Sequence, residues 1–229
     1  MQALMYSPHA DETAFLTLML QQAGLNVRAV RSLRQLVENL PEHQVELVLL
    51  TEPAEYESLE RSVKHVRAVS SAMLILITET LAESETVRLL ESGADLVISR
   101  PYGVRLLLAQ IRALMRRGAA VPFYSLPTLT HRDIVLDPTL RTVQVNAGEP
   151  IRLTQLEFRL LYMLMTHPGE VIPTTQIVEN VWGYSGEGNR ELVRGLVQRL
   201  RSKIEPEPKS PRYILTQPGI GYYFNLVEV

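Results

Sequence analysis

One stretch of the chain, residues 190–203 (RELVRGLVQRLRSK), concentrates side chains that can bind an anionic polymer. It holds five basic residues and one acidic residue, a net charge of +4, whereas the whole chain carries −2. The fork of an arginine can donate two hydrogen bonds to guanine, and a glutamine can bind adenine in the same way. Cations near phosphates also release counterions and so increase affinity. This composition therefore indicates chemistry suited to nucleic acid.

Helical spacing gives these groups a common face over residues 189–204. Arg194, Gln198 and Arg201 lie on one side of that predicted helix, opposite an apolar stripe. The stripe consists of Leu192, Val193, Leu196, Val197, Leu200 and Ile204. The basic face is flanked by Arg190, Arg199 and Lys203. On an isolated helix such a face is usually only solvated, but as the third helix before a hairpin it is typical of a helix that enters the major groove.

The elements around this helix predict a winged helix-turn-helix. Thr154-x-x-Glu157 is a capping box that opens a helix over 156–167, which Pro168 and Gly169 end. A further helix is expected at 174–182, before the basic one. Strands are expected at 133–136, 142–145 and 151–153, and a closing hairpin is expected over 213–226 with a turn at 218–221.

The first 117 residues alternate strand-like runs with helix-length amphipathic segments. The runs 46–50 (ELVLL) and 73–78 (MLILIT) are nearly all apolar, as in strands covered on both faces. Five such βα units predict a doubly wound α/β domain with a parallel sheet. Thr80-x-x-Glu83 fits a capping box for the fourth helix, and Gly93 fits its end. The predicted organisation is an α/β domain at 1–117, a linker at 118–129 and a winged helix at 130–229.

Composition excludes several classes of function. With no cysteine, the chain has no disulfide, no cysteine-ligated metal site and no cysteine nucleophile. Its histidines lack metal-ligand spacing, and no nucleophile elbow, phosphate loop or dinucleotide fingerprint is present. We therefore expect no enzyme activity, no cofactor and no metal. No secretory signal or transmembrane-length apolar run occurs, which predicts a cytoplasmic protein without a membrane partner.

The longer motifs resemble a known family. Four stretches are similar to the effector domain of OmpR/PhoB-family response regulators, and they span nearly all of residues 121–229. These stretches are LTQLEFRLLYMLMTHPGEVIP (153–173), IVENVWG (177–183), LVQRLRSKIE (196–205) and RYILTQPGIGYYF (212–224). Residues 1–117 resemble the receiver domain, most clearly at ESGADLVISRPYGVRLLLAQIRALMRR (91–117). The resemblance implies a flavodoxin-like (βα)5 receiver followed by a winged helix that regulates transcription.

The resemblance also implies where double-stranded DNA is bound. Arg194, Gln198, Arg199 and Arg201 align with groove and backbone contacts of the family. The aligned positions near phosphates are Thr174, Thr175 and Trp182; the alternative for Trp182 is a core residue, and the two roles are compatible. Pro218 stands where the family has a wing arginine for the minor groove, so tight binding is expected to need two copies. The loop 183–188 matches a family loop that can contact RNA polymerase.

The receiver half departs from the family at its phosphorylation pocket. The aspartate nucleophile is replaced by Thr51, the acidic Mg²⁺ pair by Ser7 and Pro8, and the phosphoryl-binding lysine by Arg100, while the switch threonine is kept as Thr78. A neutral hydroxyl without an activating base is a poor nucleophile, and Mg²⁺ prefers carboxylate oxygens. We therefore expect no aspartyl phosphorylation. The nearby acidic residues Asp11, Glu12 and Glu52 could form an unusual site, but Asp11 and Glu12 more simply begin a helix.

The family's active dimer uses the fourth helix, fifth strand and fifth helix of the receiver. Arg88 and Asp95 match charged positions there, whereas two usually charged positions are Leu106 and Gln110. An apolar side chain at an interface favours association, which predicts a homodimer that needs no phosphate; the alternative is that Leu106 is a core leucine. Two other interpretations stay open: control by a small ligand or partner protein in the emptied pocket, and an interaction adaptor with weakened DNA binding.

Overall fold

The protein is described here by a computed structural model that covers residues 2–40, 45–51, 59–119, 126–183 and 190–226, without the side chains of 116–119. The chain forms two compact units, Met1–Arg112 and Ala113–Val229. Residues 120–125 of the predicted linker lie outside the described ranges, and its residues 118 and 119 continue a helix. Among the described helices, none is long and apolar enough to cross a membrane.

The first unit is built on five parallel strands in the order β2-β1-β3-β4-β5. The strands are β1 (Gln2–Tyr6), β2 (Asn26–Val30), β3 (Val45–Thr51), β4 (Met73–Thr78) and β5 (Leu96–Ser99). The helices are α1 (Ala10–Gln22), α2 (Leu33–Asn39), α3 (Leu59–Val69), α4 (Glu83–Ser92) and α5 (Val104–Ala119). This strand order is that of the flavodoxin-like fold and confirms the prediction.

Burial explains why the central strands read as continuous apolar runs. Every residue of β4 is buried, and β3 is buried from Leu47 onward, because the strands lie inside the sheet with helices over both faces. The strand order reverses between β1 and β3, which opens a crevice beyond the carboxyl ends of these strands. Ser7 follows β1, Thr51 ends β3, Thr78 ends β4 and Arg100 follows β5, so all four lie at this edge.

The second unit is a winged helix, as predicted. A four-stranded antiparallel sheet consists of β6 (Leu129–His131), β7 (Ile134–Asp137), β8 (Thr142–Val145) and β9 (Ile151–Arg152). The three helices are α6 (Gln155–Thr166), α7 (Thr174–Val181) and α8 (Arg190–Ile204). The wing sheet has the order β10-β12-β11, with β10 (Ile172–Pro173), β11 (Ile214–Gln217) and β12 (Gly221–Phe224).

The two predicted capping boxes have different outcomes. At α6 the Thr154 hydroxyl accepts a hydrogen bond from the Glu157 amide at 3.3 Å, and the Glu157 carboxylate accepts one from the Thr154 amide at 2.8 Å. At α4 the prediction for Thr80 is wrong. That helix starts after Ala82, whose amide donates to the Glu85 carboxylate at 3.0 Å, while the Thr80 hydroxyl donates to the carbonyl of Arg100.

Candidate DNA interface and receiver pocket

Helix α8 is amphipathic in the way the sequence predicts. All six residues of its apolar stripe are buried, and the helix packs against α6 and α7. On the opposite side Arg190 and Arg194 are exposed and Gln198 is half-buried. The side chains of these three residues make no hydrogen bond or ion pair with any other part of the chain that the structure describes. They are therefore available to a ligand.

Arg201, by contrast, forms hydrogen bonds to the hairpin. Its Nε and Nη2 atoms donate to the carbonyl oxygen of Ile214 at 3.0 and 2.7 Å, and Nη2 also donates to the Thr216 hydroxyl at 2.9 Å. The guanidinium carbon lies 5.9 Å from the centroid of the Tyr222 ring. Burial lowers the pKa of the Arg201 guanidinium. The side chain thus connects α8 to the wing, and a base contact from Arg201 would compete with these bonds.

Arg199 and Lys203 surround the buried capping carboxylate of α6. Lys203 Nζ lies 2.7 Å from Glu157 Oε2 and donates to the carbonyl of Arg152, and Arg199 Nε lies 3.9 Å from Glu157 Oε1. Burial acts to raise the pKa of the Glu157 carboxyl, but the charges of Lys203 and Arg199 outweigh it and lower that pKa. Both cations therefore neutralise an internal carboxylate, and Arg199 is itself buried.

The residues aligned with phosphate contacts are divided between surface and core. Thr175 is exposed, whereas Thr174 donates to the carbonyl oxygen of Ile220 through its amide at 3.1 Å and its hydroxyl at 3.3 Å. The Trp182 side chain is fully buried, at 0% exposure. Trp182 is thus a core residue, because a fully buried indole cannot contact a phosphate.

The wing is a tight, uncharged hairpin. Residues 213–226 include no Asp, Glu, Lys or Arg. The Ile220 amide donates to the carbonyl of Gln217, and Gly219 adopts φ 76° in the turn between them. A Cβ on Gly221 would lie 1.9 Å from the carbonyl oxygen of Ile172, so only glycine lets β10 and β12 approach this closely. The exposed tip consists of Gln217, Pro218, Gly219 and Ile220.

At the carboxyl edge of the parallel sheet, an internal ion pair joins Arg100 to Glu12. Arg100 Nη2 lies 2.6 Å from Glu12 Oε1, and Ser7 Oγ donates to Glu12 Oε2 at 2.8 Å. Arg100 also lies 3.4 Å from the Glu79 carboxylate. Burial acts to raise the pKa of the Glu12 carboxyl, but the hydrogen bonds from Arg100 and Ser7 outweigh it and lower that pKa. The sequence offers two roles for Glu12, the start of a helix and an unusual acidic site, and neither predicts its pairing with Arg100.

Two buried threonines end β3 and β4 at the same edge of the sheet. Thr51 and Thr78 are both 0% exposed, and their hydroxyl oxygens have no hydrogen-bond partner among the described residues. Pro8, which follows Ser7, is exposed. Within the described ranges, no group of three or more His, Cys, Asp or Glu side chains could hold a metal ion. Glu52, part of the alternative acidic site, lies outside the described residues.

The residues predicted to form the dimer face are only partly at the surface. Leu106 is 62% exposed, so the alternative that it is a core leucine is wrong. Arg88 is exposed and Gln110 is half-buried. The assignment of Asp95 to the face needs correction, because its carboxylate is 1% exposed and accepts from Arg67 Nη2 at 2.5 Å and the Leu74 amide at 2.9 Å. Residues 184–188, most of the loop 183–188 aligned with a polymerase contact, lie outside the described residues.

Comparison with known proteins bears on both units. Residues 148–224 match the family model described as "Transcriptional regulatory protein, C terminal". Two mutants of RitR share the fold over the full length: each is 22% identical and covers 97% of this chain and 98% of its own, with TM-scores of 0.77 and 0.79. The response regulator DrrB of Thermotoga maritima, an OmpR/PhoB homolog, is 23% identical over 98% of both chains, with a TM-score of 0.46.

The family match covers the part of the chain that contains α6, α7, α8 and the wing. The five-stranded parallel sheet precedes it in the order expected of a receiver. Residues 148–224 are therefore similar to the C-terminal domain of transcriptional regulatory proteins, and the whole chain shares the fold of the RitR structures.

Proposed function

We propose that this protein is a DNA-binding transcriptional regulator of the OmpR/PhoB type, that it binds specific DNA sites as a homodimer, and that its activity does not depend on aspartyl phosphorylation. The observation that carries this proposal is the receiver pocket, where Thr51 stands at the nucleophile position and Arg100 is already paired with Glu12. A family member that needed phosphate would require a carboxylate nucleophile and a free cation at these two positions.

The chemistry of the pocket supports the same conclusion. A threonine hydroxyl is not a nucleophile for phosphoryl transfer without a base, and Ser7 and Pro8 supply no carboxylate for Mg²⁺. The described carboxylate closest to these groups, Glu12, is held by Arg100 and Ser7. A phosphoryl group would have to displace Glu12 from Arg100 and would meet its negative charge.

The exposed face of α8 supports the DNA function. Arg190, Arg194 and Gln198 project from a helix whose other side is anchored in the core, as a groove-reading helix requires. Arg201, Arg199 and Lys203 make contacts inside the protein, so we assign base reading to Arg190, Arg194 and Gln198 and a structural role to the other three.

Dimerisation through α4, β5 and α5 is supported by the exposure of Leu106 on α5. Burying apolar surface stabilises an interface by about 25 cal/mol per Å². Asp95 is paired with Arg67 and buried, so it is not available to a partner subunit. The contacts between subunits would therefore come from Leu106, Arg88 and Gln110 rather than from a full set of charge pairs.

The test is DNA selection with the purified, unmodified protein, repeated with a phosphoryl donor and Mg²⁺. We expect enrichment of a motif with two half-sites in both conditions. The variant Arg194→Ala should lose most of its affinity for that motif, while Arg152→Ala, an exposed arginine on β9, serves as the matched control. Enrichment only with the donor would contradict phosphorylation independence.

The two unpartnered hydroxyls favour one alternative within the same function. Buried polar groups are normally satisfied, so Thr51 and Thr78 are consistent with a pocket that receives a small ligand or a partner's polar group. Under this alternative the unmodified protein would select DNA only in the presence of that molecule. Failure to select DNA in any condition would instead favour an interaction adaptor.

A further inference from the structure

We propose that the side chain of Glu12 is a built-in anionic ligand of Arg100, and that its carboxylate positions the start of α5 for dimerisation. This inference rests on the dimer proposed above and names a residue on which the strength of that dimer depends. It also assigns the class of ligand that the site takes when the Glu12 side chain is removed, which is a small free carboxylate.

The carboxylate of Glu12 is bound by donors at both of its oxygens. Oε1 accepts hydrogen bonds from Nη2 and Nε of Arg100 at 2.6 and 3.2 Å, and Oε2 accepts one from the Ser7 hydroxyl at 2.8 Å. The Glu12 side chain is only 15% exposed, so little water competes for these donors. Hydrogen bonds between ionised groups are stronger than those between neutral ones. A cation and a hydroxyl around one carboxylate thus form an anion site whose ligand the chain itself supplies.

The second carboxylate near Arg100 is a much weaker ligand. Glu79 Oε1 lies 3.4 Å from Nη1 of Arg100, and the Glu79 side chain is 67% exposed. A pair that is long and open to solvent contributes little, because water screens the two charges. Glu12 and Glu79 therefore share one arginine but differ in burial and distance, so that substitutions at the two positions form a matched comparison.

The helix that carries Glu12 is itself fixed to the core. Glu12 is the third residue of α1, and the buried residues Leu16, Met19 and Leu20 anchor that helix. Because residues four apart lie on the same side of a helix, Glu12 and Leu16 both face the sheet. A negative charge in the first turn is also favoured by the helix dipole. The helix α1 therefore holds the carboxylate at a defined place at the edge of the sheet.

Arg100 connects this carboxylate to the start of α5. Its amide donates to the carbonyl of Thr78 at 2.8 Å, and its carbonyl accepts from the Thr80 hydroxyl at 3.2 Å. Only residues 101–103 separate Arg100 from α5, whose first turn contains the exposed Leu106. Without the Glu12 carboxylate the arginine side chain regains rotamer freedom, and the first turn of α5 loses one of the contacts that fix it. Because Leu106 belongs to the proposed interface, the dimer should then weaken.

The experiment measures the dimer dissociation constant of the full chain by sedimentation equilibrium. Glu12→Ala should raise this constant by about tenfold, toward the lower end of the coupling between two sites in one protein. The matched control Glu79→Ala should leave it unchanged. Sodium acetate, which has the same heavy atoms as the group that Glu12→Ala removes, should restore the dimer, and NaCl at the same ionic strength should not. In Glu12→Gln the dimer should weaken as well, but acetate should not restore it, because the glutamine side chain still fills the site.

The outcomes separate this inference from the proposed function. The affinity of Glu12→Gln for DNA with a single half-site should equal that of the wild type, which distinguishes a weaker dimer from a general loss of folding. If Glu12→Ala does not fold, Glu12→Gln and Glu79→Gln give the same comparison of dissociation constants. A wild-type dissociation constant in both Glu12 variants, an equal loss in the Glu79 variant, or acetate that acts no better than NaCl would overturn the inference while leaving the dimer intact. A wild type that is monomeric would instead contradict the proposed function itself.

Discussion

At the scale of single residues, the Arg100–Glu12 pair makes one contribution to the stability of the first unit depend on pH. Its side chains are 22% and 15% exposed, so solvent screens it less than the surface pair of Arg34 and Glu38, whose side chains are 88% and 59% exposed. Because the pKa of Glu12 is lowered in the folded protein, its stabilising contribution is complete above the unfolded value near 4.5. That contribution is lost as the pH falls through the lower folded value.

We therefore expect Glu12→Gln to destabilise the protein near neutral pH and the difference from wild type to shrink as the pH falls below about 4. Urea unfolding at a series of pH values measures this. The matched control, Glu38→Gln, should change the unfolding free energy by less than about 0.5 kcal/mol, because an exposed pair contributes little. A pH-independent difference between wild type and Glu12→Gln would refute the pairing as the source of the shift.

Two arginines of α8 should separate folding from recognition. Arg201 makes three hydrogen bonds to the wing, whereas the exposed Arg194 makes none with the described residues. Arg201→Ala should lower the free energy of unfolding by about 1–3 kcal/mol, since it leaves the Ile214 carbonyl without its partner. Arg194→Ala should leave stability within about 0.5 kcal/mol of wild type. Denaturant titration of both variants checks this, and equal stabilities would mean that Arg201 does not hold the wing.

At the scale of elements, the same four-residue pattern caps one helix and not another. Thr154 and Glu157 exchange both capping bonds at α6, whereas Thr80 lies two residues before the cap of α4 and bonds to Arg100. Thr154→Ala is expected to cost about 1 kcal/mol of stability, as the loss of an N-cap does. Thr80→Ala, the matched control, should cost less than half as much. Thermal unfolding compares them, and a larger cost at Thr80 would contradict the assigned caps.

How far the sequence predicts these elements depends on the range of the interactions that form them. The hydrophobic period of a segment and the residues that end it are local signals. The sequence therefore predicts α6, α7 and α8, the buried stripe of α8 and the five βα units. The strands β6 and β10 were missed because segments of three and two residues carry too little pattern. Their identity as strands depends on partners far along the chain.

The site residues follow the same rule. Sequence spacing correctly placed Arg190 and Arg194 at the surface, but it could not anticipate that Arg201 bonds to Ile214 or that Asp95 bonds to Arg67. These pairs are 13 and 28 residues apart, and only the folded chain brings them together. A charged residue on the polar side of a helix can therefore either contact a ligand or bond to another element of the same chain. Only the tertiary structure distinguishes these two roles.

At the scale of the whole molecule, the net charge is small but the charges are unevenly distributed. The chain carries −2 overall, yet α8 is strongly basic and the hairpin beside it is neutral. Three of the cations of α8 are also used inside the fold. Few free cations mean few phosphate contacts per copy, so the affinity of a single copy for DNA should be modest. Two copies joined by a protein interface would increase the effective concentration of the second half-site and compensate for this.

The dimer is therefore the central prediction for the intact chain. Light scattering should show that the protein is dimeric down to about 1 µM. This corresponds to a dissociation constant below about 1 µM, which an apolar interface readily reaches. Leu106→Glu should shift the protein toward monomer by placing a charge on α5 at a 62% exposed position. Leu18→Glu, at a 57% exposed position on α1, should remain dimeric and controls for the added charge alone.

The same variant should also change DNA binding. Because two monomers bind their half-sites independently, Leu106→Glu should bind a two-half-site DNA as weakly as it binds a single half-site. A wild type that is monomeric throughout the dilution, or a Leu106→Glu variant that stays dimeric, would mean that the exposed leucine has another role and that DNA affinity arises within one copy.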